Sequence, residues 1–466
     1  MMQATLRDAA VWCGAAVEEA AGGAVFAGVS TDTRQIKPGQ LFVPLSGDRF
    51  DGHDYLEAAR EAGAVASLWQ RDRAQPADAG IPLLLVDDTL AALQRLAAHY
   101  LGALQAKVVA VTGSNGKTTT KDLITSVLST RYRVHKTEGN LNNHIGLPLT
   151  VLRADPGTEV LVLEMGMSGR GEIALLSNLA KPDIAVITNI GEAHLLQLGS
   201  RRNIARAKLE IVQGLKPGGV LIVNGDEPLI DEELQALELP DPIEWVTFGE
   251  SEACALSVSN IRVTAETTRF EARTEDGVHT YEIPVPGRHN AVNALAAAAV
   301  GKALGVTPEQ IGEGLSAAKL TGMRIERTRA SNGAVVLNDA YNASPTSVLA
   351  AISLADALAG YRHKRIVLGD MLELGPDEES FHAEIGRSLT PETADFVYLY
   401  GPLSAHTAKA AEQAFPSGSV RHFADKRELT ETLLRETGPD DLVLVKASRG
   451  MKLEEVVAAL QKGVVG

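Results

Sequence analysis

Between residues 107 and 121 the chain reads KVVAVTGSNGKTTTK. A β-branched apolar run, Lys107 to Thr112, predicts a buried strand. Gly113, Ser114, Asn115, Gly116, Lys117 and Thr118 follow, and Thr119 to Leu128 then favour a helix. Strand, glycine turn, lysine, hydroxyl and helix in that order form the layout of a phosphate-binding loop. The two glycines let backbone N–H groups converge on an anion with no Cβ in the way. The helix start adds unpaired donors and partial positive charge. Lys117 is placed to reach β- and γ-phosphates, and Thr118 to sit on Mg2+. Val111 stands where the longer form of this loop has its first glycine. The loop is therefore a shortened one, which disfavours a generic motor ATPase or GTPase.

Other polar residues fall at positions where they could join this chemistry. Val160 to Glu164 and Asp183 to Thr188 are predicted strands. Open parallel sheets hold ligands beyond the carboxyl ends of their strands. Glu164 and, past the second strand, His194 fall on the side that carries Gly113 to Thr118. A carboxylate there suits Mg2+. His194 fits a metal ligand and a satisfied polar residue about equally. Lys208 lies in a stretch of helical spacing, Asn203 to Ile211, where a lysine is ordinarily a solvated surface residue. Asn290 and Asn293 are spaced for one face of an alanine-rich helix. They read a nucleobase or cap the helix, the second being the commoner use. Ser30, Asp32 and Arg34 form a donor-rich cluster near a polar glycine loop at 47–53, either a plain turn or a ligand contact.

The elements that must position these residues divide into three units. A chain of 466 residues exceeds one hydrophobic core. Residues 1–105 predict a small α/β unit: a helix at Leu6 to Ala10, strands at Leu41 to Leu45 and Leu83 to Val86, a helix capped by Asp54 that runs to Ala62, and another at Thr89 to Leu104. Residues 106–318 predict the nucleotide unit, with further strands at Val220 to Asn224 and Glu244 to Phe248 and an alternating, antiparallel region at 253–285. Residues 319–466 predict a second parallel sheet, with strands at Ala334 to Asn338, Arg365 to Leu368, Phe396 to Tyr400 and Leu442 to Lys446. Two units that both present polar strand ends predict a substrate cleft between them.

Net charge is −15, which disfavours nucleic-acid or anionic-membrane partners. An anionic substrate must then be held by a local basic patch. Cys13 and Cys254 have no metal or redox spacing and suit a reducing compartment. The N-terminal stretch lacks a signal-peptide core, and no uncharged apolar run approaches the ~20 residues that span a bilayer. The expectation is a cytoplasmic protein without a membrane anchor.

Taken together these pieces resemble the Mur ligase family of bacterial cell-wall synthesis. The resemblance rests on TGSNGKTTT at 112–120, Glu164, the Asn189 to His194 segment, Lys208, HNAVN at 289–293, Arg324, Asp339 and Lys446 to Gly450, in family order along nearly the whole chain. STDTR at 30–34, GNLNNHIGLP at 139–148, EMGMSGRGEI at 164–173, and the pair DAYNASP at 339–345 and LGDMLELG at 368–375 are similar to the branch that adds D-alanyl-D-alanine. Ser344 departs from that pattern, which has Asn there.

The resemblance implies an α/β, three-domain architecture with a central P-loop domain and a C-terminal Rossmann-like domain. It implies an ATP-dependent ligase that activates UDP-MurNAc-tripeptide as an acyl phosphate and couples it to D-Ala-D-Ala. Lys117, Lys208 and His194 would serve catalysis. Gly113, Ser114, Asn115, Gly116, Lys117, Thr118, Thr119, Asn290, Asn293, Arg324 and Asp339 would hold ATP. Thr118, Glu164, His194 and Lys208 would serve two Mg2+ ions, Lys208 in carbamylated form. Ser30, Asp32 and Arg34 would hold the uridine end of the substrate, and Asn142, Asn143 and His144 its peptide or sugar. The implied enzyme is a monomer.

Overall fold

The strand that leads into the glycine loop, Lys107–Thr112, sits third in a nine-stranded sheet. The structure is a computed structural model and describes residues 2–47, 50–237 and 243–465. The sheet runs Val134–Lys136, Val160–Glu164, Lys107–Thr112, Ile184–Ile187, Val220–Asn224 and Glu244–Gly249, all parallel. It continues through Leu256–Val263, Thr268–Thr274 and Gly277–Ile283, which pair antiparallel with one another. The chain first occupies one side of the Lys107–Thr112 strand and then the other. The glycine loop therefore lies where the strand order reverses, the crevice in which open α/β sheets bind ligands.

Alternation along that central strand divides two cores. Val109 and Val111 pack with the Lys117–Ser129 and Arg288–Ala303 helices, in a core that also takes in Val335, Leu337 and Leu444 of the C-terminal unit. Val108 and Ala110 face the opposite core, shared with Leu93, Leu96 and Ala97 of the Thr89–Leu104 helix and Leu147 and Val151 of the Gly146–Arg153 helix. Gln94 Nε2 donates to the His144 carbonyl at 3.0 Å and Tyr100 Oη to the Ala154 carbonyl at 2.8 Å. The N-terminal unit is thereby fixed to the central sheet.

The C-terminal sheet runs Glu326–Arg329, Val335–Asp339, Leu442–Lys446, Lys364–Gly369, Phe396–Tyr400 and Val420–Phe423. It is parallel except at its first strand, which pairs antiparallel with Val335–Asp339. The expected four strands thus miss both edges, the parallel Val420–Phe423 and the antiparallel Glu326–Arg329, whose charged sequence, ERTR, carries no buried-strand signal. The N-terminal unit holds a four-stranded parallel sheet, Val29–Ser30, Leu41–Phe42, Ala66–Gln70 and Leu83–Val86. The expected strand to Leu45 stops at Phe42. Asp51, not Asp54, caps the next turn, accepting from His53 N, because a 3-10 turn at Gly52–Tyr55 precedes the Leu56–Glu61 helix. Asp48 and Arg49 of the glycine loop lie outside the described residues.

Candidate active site

The phosphate loop is laced to the neighbouring strand end. Ser114 N donates to the Asn189 carbonyl at 3.0 Å, and Asn115 N to Asn189 Oδ1 at 2.9 Å. Thr188 Oγ1 and Asn189 Nδ2 both donate to the Asn115 carbonyl, at 2.6 and 3.0 Å. This corrects the expectation that the loop's amides as a group face the anion, because those of Ser114 and Asn115 are already bonded. The donors that remain include Gly116 N and the first-turn amides of the Lys117–Ser129 helix, which no side chain caps. Gly116, at φ +78, turns the chain into that helix. A Cβ there would come within 2.8 Å of Asn293 Oδ1.

Lys117 Nζ arches back over the loop, donating to the carbonyls of Gly113 at 2.7 Å and Ser114 at 3.3 Å. Its pKa is lowered, chiefly by burial, with Arg324 adding and Glu164 opposing. Lys208 is 1% exposed, so the surface lysine expected from helical spacing is in fact interior. Burial first, then the charge of Lys117, drives its pKa well below the ordinary lysine value. His194 stands against the same two lysines; burial, Lys117 and Lys208 lower its pKa, and Glu373 opposes them. Glu164 lies at 2% exposure, and its Oε2 has no hydrogen-bond partner. Its Oε1 accepts from Asn142 Nδ2 at 2.9 Å.

The C-terminal sheet closes over this cluster. Ser344 Oγ donates to Asn115 Oδ1 at 3.1 Å, Thr346 Oγ1 to Glu192 Oε2 at 2.6 Å, and His194 Nδ1 to Glu373 Oε2 at 3.0 Å. Arg324 lies over the Tyr341 ring, 4.3 Å from its centroid, with Arg449 at 5.8 Å. Asp339 pairs with Lys446 Nζ at 2.6 Å, and both lie near His289. A cationic wall thus faces the phosphate loop inside a chain of net charge −15.

Comparison with known proteins covers almost all of this architecture. The Mur ligase middle domain matches residues 111–301, the Mur ligase family catalytic domain residues 25–101, and the Mur ligase glutamate ligase domain residues 323–449. A UDP-N-acetylmuramoyl-tripeptide–D-alanyl-D-alanine ligase from Bacillus subtilis is 51% identical over 436 residues, 94% of this chain and 93% of that protein. The chain is a Mur ligase. A crystal structure of MurF from Acinetobacter baumannii superposes with a TM-score of 0.89 at 30% identity over 99% of both chains. That of MurF from Thermotoga maritima in complex with ADP gives 0.81 at 30% identity over 94% of this chain and 97% of that one.

Within this Mur ligase, the sequence-selected residues divide into those that converge and those that do not. Gly113 to Thr119, Glu164, His194, Lys208, Arg324 and Asp339 lie around one junction. Asn290 and Asn293 are buried beneath it: Asn290 Nδ2 donates to the Pro286 carbonyl at 2.9 Å, and Asn293 Nδ2 to Asn290 Oδ1 at 3.3 Å. Asn143 Oδ1 caps the Gly146–Arg153 helix through Ile145 N and Gly146 N, and His144 is exposed. Ser30, Asp32 and Arg34 form their own turn in the N-terminal unit, away from the loop. Asp32 takes two hydrogen bonds from the Arg34 guanidinium, at 2.9 and 2.8 Å. The roles of Thr188, Asp122 and Glu373, and the bonds Asn189 makes to the loop, escape the sequence because they depend on contacts across the fold.

Proposed function

We propose that this Mur ligase joins D-alanyl-D-alanine to UDP-MurNAc-tripeptide with ATP. The ATP-dependent chemistry is carried by the uncapped helix start at Lys117, set among Lys117, Lys208 and His194 near a buried Glu164 oxygen that lacks a hydrogen-bond partner, and the choice of substrates is supported by the 51% identity to the Bacillus subtilis ligase. The three units of the reading are 1–105 for the UDP end, 106–318 for ATP and 319–466 for closure.

The reaction brings anionic groups together, so charge neutralisation is the main catalytic task. The peptide's terminal carboxylate takes the γ-phosphoryl group of ATP. The amine of D-Ala-D-Ala then attacks the acyl phosphate, and phosphate leaves. The first-turn amides and Lys117 hold the phosphates. Arg324 and Asp339 meet the nucleotide from the C-terminal unit. Asn290 and Asn293 act through the turn at Pro286 and through Gly116. Ser30, Asp32 and Arg34 hold the uridine end, with Asn142 and His144 nearer the peptide or sugar and Asn143 fixing the start of the helix beside them.

The donor set also fits divalent metal. Among the described residues no three His, Cys, Asp or Glu side chains gather in a cage. Glu164 and His194 therefore need donors of other types, which the Thr118 hydroxyl and a carbamylated Lys208 would supply. A buried lysine with lowered pKa has the neutral amine that carbamylation requires. Magnesium bound by Thr118, Glu164, His194 and Lys208 would offset phosphate charge at both ends of the transfer.

Among the described residues no helix is long and apolar enough to cross a membrane. The reading keeps the expectation of a cytoplasmic, monomeric enzyme. Its test is mass spectrometry of the product from UDP-MurNAc-tripeptide, ATP, Mg2+ and D-Ala-D-Ala. The expected product carries the dipeptide, with ADP and phosphate released. Turnover with a single amino acid and none with the dipeptide would overturn it.

A further inference from the structure

His194 and Glu373 meet across the junction between the central and C-terminal units, and both sit in the left-handed region, at φ +65. Non-glycine residues hold that conformation only where their surroundings enforce it. Here the backbone is clamped as well: the Glu373 carbonyl accepts from Leu196 N at 3.1 Å. The Glu373 loop is pegged to its own unit through Met371 N to His382 Nε2 at 3.0 Å and Leu372 N to Ser448 Oγ at 2.9 Å. Glu373 is therefore delivered as part of a rigid body.

A carboxylate can only accept, so the 3.0 Å contact fixes the proton of a neutral His194 on Nδ1. The lone pair is then left on Nε2, which makes no hydrogen bond among the described residues. The groups that face this ring are Lys117 and Lys208 from the central unit and Glu373 from the C-terminal one. An imidazole whose Nδ1–H is held by a carboxylate is the arrangement that orients a histidine toward metal.

We propose that Glu373 is a positioning residue that sets the His194 tautomer from the opposite domain, so that the imidazole becomes metal-competent only when the C-terminal unit has docked. The link to Mg2+ rests on the proposed ligase function, but the tautomer itself does not.

The test compares wild type with Glu373→Ala and Glu373→Gln at mildly alkaline pH. Long-range 1H–15N NMR of histidine-labelled protein, with the His194 signal assigned by its loss in His194→Asn, reads the tautomer directly. Wild type is expected to show Nδ1–H, Glu373→Ala a mixture, and Glu373→Gln, whose amide oxygen still accepts, mainly Nδ1–H. In the ligation assay Glu373→Ala is expected to need about 10-fold more Mg2+ for half-maximal rate, with KM for UDP-MurNAc-tripeptide unchanged. Glu373→Gln is expected to restore most of the loss. An Nε2–H wild-type ring, or the same tautomer in Glu373→Ala, overturns the assignment whatever the kinetics. An unaltered Mg2+ requirement in Glu373→Ala overturns its link to metal. A wild-type enzyme that forms no ligated product refutes the functional reading instead, and leaves the NMR result to decide the latch.

Discussion

Asp122 Oδ2 accepts both the backbone N–H and the hydroxyl of Thr321, each at 2.8 Å. Asp122 lies in the helix that the phosphate loop opens, and Thr321 in the segment that leads to the C-terminal sheet. One carboxylate therefore ties the phosphate site to the connection about which the C-terminal unit would move. Its other oxygen takes Lys136 Nζ at 2.5 Å and lies 3.3 Å from Lys121 Nζ. Lys121 is fully buried, with no hydrogen-bond partner, and stands 3.9 Å from Glu164.

Removing that carboxylate leaves Lys121 and Lys136 uncompensated. Asp122→Ala is expected to destabilise the central unit by about 3–5 kcal/mol, the cost of breaking a buried pair from one side. Burial alone would raise the Asp122 pKa, but Lys121, Lys136 and Thr321 more than offset this and hold it low. A depressed carboxylate contributes stability above its unfolded pKa and loses it as pH falls through the folded one. Urea unfolding should show that Asp122→Ala lacks part of the acid-dependent loss seen in wild type below about pH 4.

His289 gives a second pH prediction with the window elsewhere. Burial pushes its pKa down to about 4; Asp339 opposes this and Lys446 adds to it. The native ring is neutral where the unfolded one, with a pKa of about 6.5, already binds a proton. Stability therefore falls as pH drops from about 6.5 towards 4. Melting curves across that range should slope less steeply for His289→Asn than for wild type. Parallel slopes would mean that the ring is solvated in the native protein.

How much of this is legible in the sequence depends on whether the signal is local. The strand at Lys107–Thr112, the loop after it and the strand ending at Glu164 follow from apolar runs and glycines that act within a few residues. Helical spacing presents Lys208 as a surface residue because it records a face and not what covers that face. Asn143 reads as a substrate contact, yet its nearest unsatisfied donors are Ile145 N and Gly146 N two and three residues on, and they claim it as a cap. Thr321, Asn189 and Glu373 bond residues 199, 74 and 179 positions away, separations over which no periodicity in one chain carries information.

Ser344, the departure from the family pattern, links the two halves of the site. It caps the Pro345–Ala357 helix in a reciprocal arrangement with Ser347 and donates to Asn115 Oδ1 in the phosphate loop. Ser344→Ala is expected to cost about 1 kcal/mol from the cap and to raise the KM for ATP. Ser344→Asn should keep the wild-type melting temperature, because Asn is an equally good cap. Equal ATP KM values in wild type and Ser344→Ala would show that the bridge to Asn115 does not hold the loop.

The phosphate loop itself separates geometry from charge. Gly113 has φ +147, and a Cβ built there would overlap the Thr188 hydroxyl that holds the Asn115 carbonyl. Gly113→Ala must therefore move the loop and should abolish nucleotide binding by calorimetry. Lys117→Ala leaves the backbone lacing to Asn189 in place and removes the cation together with its hydrogen bonds to the Gly113 and Ser114 carbonyls. It is expected to lower turnover by roughly 100-fold or more, the scale of losing one preorganised charge stabiliser, while melting changes little. Because Lys117 also helps suppress the Lys208 charge, the same variant should raise the Lys208 pKa towards its ordinary value. 13C NMR under labelled CO2 should then show less carbamylated Lys208 at a given pH than in wild type.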